Sequence, residues 1–213
     1  MIYAENILLC IAIPMLLSML FLRGKVRRFL LAFLVGMGIS LLSAYISGYL
    51  TLIADLEAEA TAIFLSPIVE EGMKFLPLMF LLFLLQPEDE VFTMAAVGIG
   101  AGFATFENCC YILSSGIERL SYVLIRGMAV GVMHIVSVLA LALGLEAARR
   151  FRLLTFPGMV GAFSLAATFH GLYNLLVSSP GISAVIGYCI PIAGALALYC
   201  FYRRLLRSGE KEN

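Results

Sequence analysis

Apolar stretches follow one another over residues 6–22, 29–53, 60–85, 91–114, 120–144, 155–177 and 182–202, with little chain between them. Each approaches or exceeds the roughly 20 residues that a helix needs to cross the hydrocarbon core of a bilayer. Lipid offers no partner for backbone N–H and C=O groups, so a spanning segment must satisfy them internally. The alternation of about ten residues that marks a barrel strand is missing, which leaves helices. The chain has 213 residues, 62% of them hydrophobic, and a mean hydropathy of +1.02, so no polar length remains for a second, soluble domain. The expected architecture is an all-α polytopic transmembrane bundle of about seven spans, one domain over residues 1–213.

Charge placement orients the bundle. Arg23, Lys25, Arg27 and Arg28 follow the first stretch, Arg149, Arg150 and Arg152 follow the fifth, and Arg203, Arg204, Arg207 and Lys211 close the chain. With seven spans these groups share one side, and the other side carries Arg119 with Asp55, Glu57 and Glu59. Basic residues collect on the cytoplasmic side, so the N-terminus is expected outside and the C-terminus in the cytoplasm of a bacterial plasma membrane. The loop Gln86-Pro87-Glu88-Asp89-Glu90 falls on the basic side without a basic residue of its own. Glu5 precedes the first stretch and the basic cluster follows it, the reverse of a secretory signal, so that stretch reads as a retained helix.

The formal net charge is zero and no basic run is interleaved with aromatics, which excludes a nucleic-acid partner. Cys10, Cys109, Cys110, Cys189 and Cys200 lie inside apolar runs without a C-x-x-C pair and read as small packing residues rather than a zinc site or disulfide framework. Gly98 and Gly102, four residues apart, would let a neighbouring helix approach closely.

Chemistry concentrates in the ionisable side chains inside the spans: Glu70, Glu71, Lys74, Glu107, Arg126, His134 and His170. A charged residue at a helix centre costs about 2.5 to 3.5 kcal/mol on the insertion scale, so such residues point to a functional site. Lys74 is four residues after Glu70 and three after Glu71, within reach of either. Adjacent helical residues point about 100° apart, so one carboxylate can pair with Lys74 while the other faces a water and acts as general base. Phe103, Glu107 and Tyr111 share a helix face with Asn108 beside them, and Glu107 suits a structural or a functional carboxyl equally. Arg126 and His134 share a face of the next span, with Arg126 expected to hold a carboxylate. His134 and His170 are the only histidines, and Asn174 lies one turn after His170, as an oxyanion-stabilising pair would require. Counting residues from the outer helix ends places Glu71, Glu107, His134 and His170 at similar depths, roughly 10 to 20 Å below the outer surface.

These residues, Glu70-Glu71-Gly72-Met73-Lys74, Gly102 to Tyr111 with Glu107-Asn108, Arg126 with His134, and His170-Gly171-Leu172-Tyr173-Asn174, resemble in order and spacing the PrsW family of intramembrane proteases. More distantly they resemble the group that contains the type II CAAX prenyl endopeptidases. The resemblance covers residues 66–175. It implies hydrolysis of a peptide bond in a membrane-anchored protein, the outer-side first cut of an anti-sigma factor in regulated intramembrane proteolysis. It also implies that Glu70 and Glu71 activate water, that His134 and His170 orient it or bind a metal, and that Asn174 stabilises the tetrahedral intermediate. Some PrsW relatives have Asp where this chain has Asn174. Lys74, Phe103, Glu107, Asn108, Tyr111 and Arg126 would support the site or contact substrate.

No H-E-x-x-H pattern is present, which favours water activation by glutamate without a cofactor. The alternative is zinc held by Glu70, Glu71, His134 and His170 with a free water position. Two further readings are a proton-coupled transporter and a non-catalytic scaffold. Against the transporter, Pro67 and Pro77 interrupt one helix only, without matching broken helices in two halves.

Overall fold

The computed structural model describes residues 3–116, 119–151 and 155–209, the last nine by their helical backbone only. The expected all-helical bundle is found. Its elements are α1 (Ala4–Ser18), α2 (Gly24–Ala54), α3 (Ser66–Phe80), α4 (Asp89–Ser115), α5 (Leu120–Arg150), α6 (Thr155–Ser178) and α7 (Ile182–Gly209). A short turn, Ala58–Ala60, and a π-helical turn, Thr61–Leu65, lead into α3, and a second π turn, Leu81–Leu85, leaves it. Among the described residues, α2, α4, α5, α6 and residues 182–200 of α7 are long and apolar enough to cross a membrane. The chain is an integral membrane protein.

Two of the seven expected spans depart from that criterion. The first apolar run continues to residue 22, yet α1 stops at Ser18, because the N–H groups of Leu20 and Phe21 turn back to Leu17 and Ser18 and swing the chain into α2. The third is divided by its π turns, so its longest regular stretch is the 15-residue α3, whose centre carries Glu70, Glu71 and Lys74. Elsewhere helices outrun the apolar stretches. Both α2 and α5 continue through their basic ends, where long side chains reach out to water while the backbone bonds remain internal.

The acidic loop meets its counter-charges in the folded chain. Lys25 donates to Glu90 at 2.6 Å, and Asp89 pairs with Arg150 at 3.3 Å and Arg149 at 3.7 Å. The loop therefore lies at the same end of the bundle as the basic clusters. At the opposite end α2 and α4 stop at left-handed residues, Asp55 (φ 51°) and Gly116 (φ 61°), and the Tyr45 hydroxyl donates to Glu5.

The glycine face of α4 takes α2 as its neighbour. A Cβ on Gly102 would run into the Phe33 carbonyl, one on Gly36 into the Ile99 carbonyl, and one on Gly98 would lie 2.9 Å from the Ala32 side chain. Helix α5 is the most enclosed of the spans and α7 the least. Val138 and Leu141 of α5 pack with Leu78, Leu82, Phe92 and Ala96 in an apolar core on the basic side of the polar residues. The cysteines are free; Cys10, Cys189 and Cys200 lie exposed on the outside of the bundle, not packed within it as expected.

Candidate active site

One oxygen organises the polar centre. Glu71 Oε1 accepts from Lys74 Nζ at 2.8 Å, from His170 Nδ1 at 2.8 Å and from Ser137 Oγ at 3.2 Å. Glu71, Lys74, His134 and Ser137 have no exposed surface, and His170 has almost none. The pair on α3 meets because positions three apart on a helix are neighbours, and the spacing of His134 and Ser137 on α5 delivers both to the same place. A buried carboxylate needs such company, since its charge is otherwise uncompensated.

Lys74 also reaches His134 Nδ1 at 2.7 Å and lies 4.2 Å above the Phe103 ring. An ammonium group only donates, so Nδ1 accepts and the ring proton is on Nε2, which donates to Glu107 Oε2 at 2.5 Å. Arg126 Nη2 donates to Glu107 Oε1 at 2.9 Å, and its guanidinium lies 3.5 Å over Tyr111. Phe103, Glu107 and Tyr111 thus do share a working face: Phe103 packs on Lys74 and His134 (4.8 Å between rings), Glu107 bridges His134 and Arg126, and Tyr111 seats the guanidinium.

Glu70 points the other way, towards space. With its Nδ1 proton given to Glu71, His170 keeps a lone pair on Nε2, which faces Glu70 Oε2 at 3.8 Å. That oxygen is buried without a partner, as is Glu71 Oε2. The His134 and His170 rings stand perpendicular, 5.0 Å apart. Glu70 and His170 line a cavity of about 360 Å³ together with Glu107, Arg126, Tyr173 and Asn174. Glu70, His134 and His170 each offer one donor atom within 4.8 Å of the others. This set suits a divalent cation: an orphaned carboxylate oxygen, a free imidazole lone pair, and a carboxylate behind His170 that fixes its tautomer. His134 joins such a set only by exchanging a hydrogen bond, since Lys74 and Glu107 engage both of its nitrogens.

The structure therefore brings together Glu70, Glu71, Lys74, Phe103, Glu107, Tyr111, Arg126, His134 and His170. It sorts the glutamates, with Glu71 locked behind His170 and Glu70 exposed to the cavity. Asn174 reaches the cavity wall, but its Nδ2 donates to the Ala62 carbonyl at 2.8 Å. Asn108 is not among the cavity residues, and its Oδ1 is buried without a partner. Sequence reasoning passed over Ser137, whose position three residues after His134 was a usable signal. It also passed over Tyr122 and Tyr188 of the cavity wall, which resemble any interfacial tyrosine in sequence, and it quoted Tyr173 within its motif without giving it a role.

A family model described as PrsW family intramembrane metalloprotease matches residues 24–202 of the chain. No curated protein and no solved structure matches it.

Proposed function

Because the chain belongs to the PrsW family of intramembrane proteases, we propose that it cuts a peptide bond of a membrane-anchored protein at the cavity beside Glu70, with that carboxylate as general base. The observation that carries the assignment is that Glu70, unlike Glu71, lines the cavity and keeps its Oε2 free of a hydrogen-bond partner, 3.8 Å from His170 Nε2. Glu70 takes a proton from the attacking water as the new C–O bond forms, and returns it to the amine nitrogen as the C–N bond breaks. Glu71 holds the Nδ1 proton of His170, so that Nε2 presents its lone pair beside Glu70. Lys74 fixes the tautomer of His134 and compensates the charge of Glu71.

A zinc ion would be held by Glu70, His134 and His170, and when bound it supplies a Lewis acid that polarises the scissile carbonyl and acidifies water. The cavity lies on the side of the apolar core away from Lys25, Arg149 and Arg150, and under the positive-inside rule that side faces out. An outward cavity in a bacterial plasma membrane, with the N-terminus outside and the C-terminus in the cytoplasm, suits the first, outer-side cut of an anti-sigma factor.

The test is cleavage of a tagged single-span membrane protein by purified enzyme in detergent, wild type against Glu70→Gln, with and without chelator and zinc add-back. A general base is worth about 10²- to 10⁴-fold, and Glu70→Gln should lose that much rate at unchanged melting temperature. Equal cleavage by the two proteins would refute the role of Glu70. Loss with chelator and recovery with zinc would establish the metal, and indifference to chelator would establish glutamate alone.

A further inference from the structure

The turn that opens α3 lacks a backbone donor, and α6 supplies one. In Thr61–Leu65 the winding is π-helical, so the Ser66 N–H bonds to the Thr61 carbonyl five residues back. Ala62 is the next acceptor in line. Two residues of its own helix are placed to serve it. Ser66 is committed to Thr61, and residue 67 is a proline, which has no N–H. The amide of Asn174 fills the vacancy, Nδ2 donating to the Ala62 carbonyl at 2.8 Å. Three residues earlier, Gly171 lets the two backbones touch: a Cβ there would lie 2.8 Å from the Ile63 carbonyl oxygen and 3.8 Å from the Pro67 ring. His170 immediately precedes this contact, and Ala62, Ser66 and Glu70 run up one side of the cavity at intervals of four.

We propose that Asn174 is a positioning residue that replaces the N–H removed by Pro67, fastening the start of α3 to α6 so that Glu70 and His170 keep their separation. Its consequence for cleavage rests on Glu70 as the base; the clip itself rests on the backbone geometry. This differs from the oxyanion role that sequence spacing gave to Asn174. The two roles separate cleanly, because Pro67→Ala returns a backbone donor to the turn and does nothing for an oxyanion.

The experiment compares wild type, Asn174→Ala, Pro67→Ala and the double variant, each full length in detergent. Amide hydrogen exchange over residues 61–71 and cleavage of a tagged single-span membrane protein are measured on each. Loss of the clip should speed exchange in that segment about tenfold, the effect of one hydrogen bond. It should also lower kcat with KM nearly unchanged. In the Pro67→Ala background the same substitution should change exchange and kcat by less than about twofold, its hydrogen bond having been replaced from within the helix. An Asn174→Ala rate loss that is equally large in both backgrounds, with exchange unmoved, would overturn the clip in favour of direct contact with the reacting carbonyl. If Asn174→Ala does not fold, recovery of folding in the double variant supports the clip and its absence overturns it. Should wild type cut no single-span protein, the peptidase reading fails, and the exchange comparison still decides the clip.

Discussion

Replacing Lys74 by methionine removes a buried charge while keeping most of the side-chain volume. Lys74 is fully enclosed, with Nζ 2.8 Å from Glu71 Oε1 and 2.7 Å from His134 Nδ1. Breaking a buried ion pair by deleting one member costs about 3–5 kcal/mol, because the surviving charge keeps its desolvation penalty without its partner. Two donors remain on Glu71, from His170 and Ser137, which puts the expected loss at the lower end, about 3 kcal/mol. At about 2–4 °C per kcal/mol for a chain of this size, the melting midpoint should fall by roughly 6–12 °C. Thermal unfolding in detergent, followed by circular dichroism, reads this directly. Glu71→Gln in the same background should regain about half of the loss, since an amide needs no counter-charge and still accepts from His170. A Lys74→Met protein that melts within about 1 °C of wild type would refute the assignment of Lys74 as the counter-ion of Glu71.

Two further substitutions probe the frame. Gly102→Ala places a methyl group against the Phe33 carbonyl, which must move with its helix, and should cost about 1–3 kcal/mol in thermal unfolding; a neutral result would contradict the contact between α2 and α4. Ser137→Ala removes the longest of the three hydrogen bonds to Glu71 and should cost about 1 kcal/mol, with cleavage reduced only a few-fold; complete inactivation would mean that Ser137 touches the substrate.

Much of this was legible in the sequence, because a membrane makes polar residues conspicuous. Glu70, Glu71, Lys74, Glu107, Arg126, His134 and His170 stand out against the apolar helices that carry them, and their similar distances from the helix ends foretold that they would meet. The small residues at Gly98 and Gly102 likewise announced a close neighbour, though not that it would be α2. What stayed hidden depends on where another helix puts its backbone. That Asn174 donates to Ala62 follows from a π turn and a proline 107 positions before it in the chain, neither of which marks Asn174 itself. The end of α1 was misplaced for a simpler reason: residues 19–22 are as apolar as the helix before them, and only the turn into α2 stops it.

The π turn before α3 has a consequence for the pair of adjacent glutamates. Such a turn is an α-helix with one residue too many, and unwinding it to regular α would rotate everything beyond it by one residue, about 100° if the preceding segment stayed fixed. The same angle separates Glu70 from Glu71. A single surplus residue in Thr61–Leu65 thus acts as the phase setting of the helix, selecting which of two chemically identical neighbours lines the cavity and which is spent on holding a histidine.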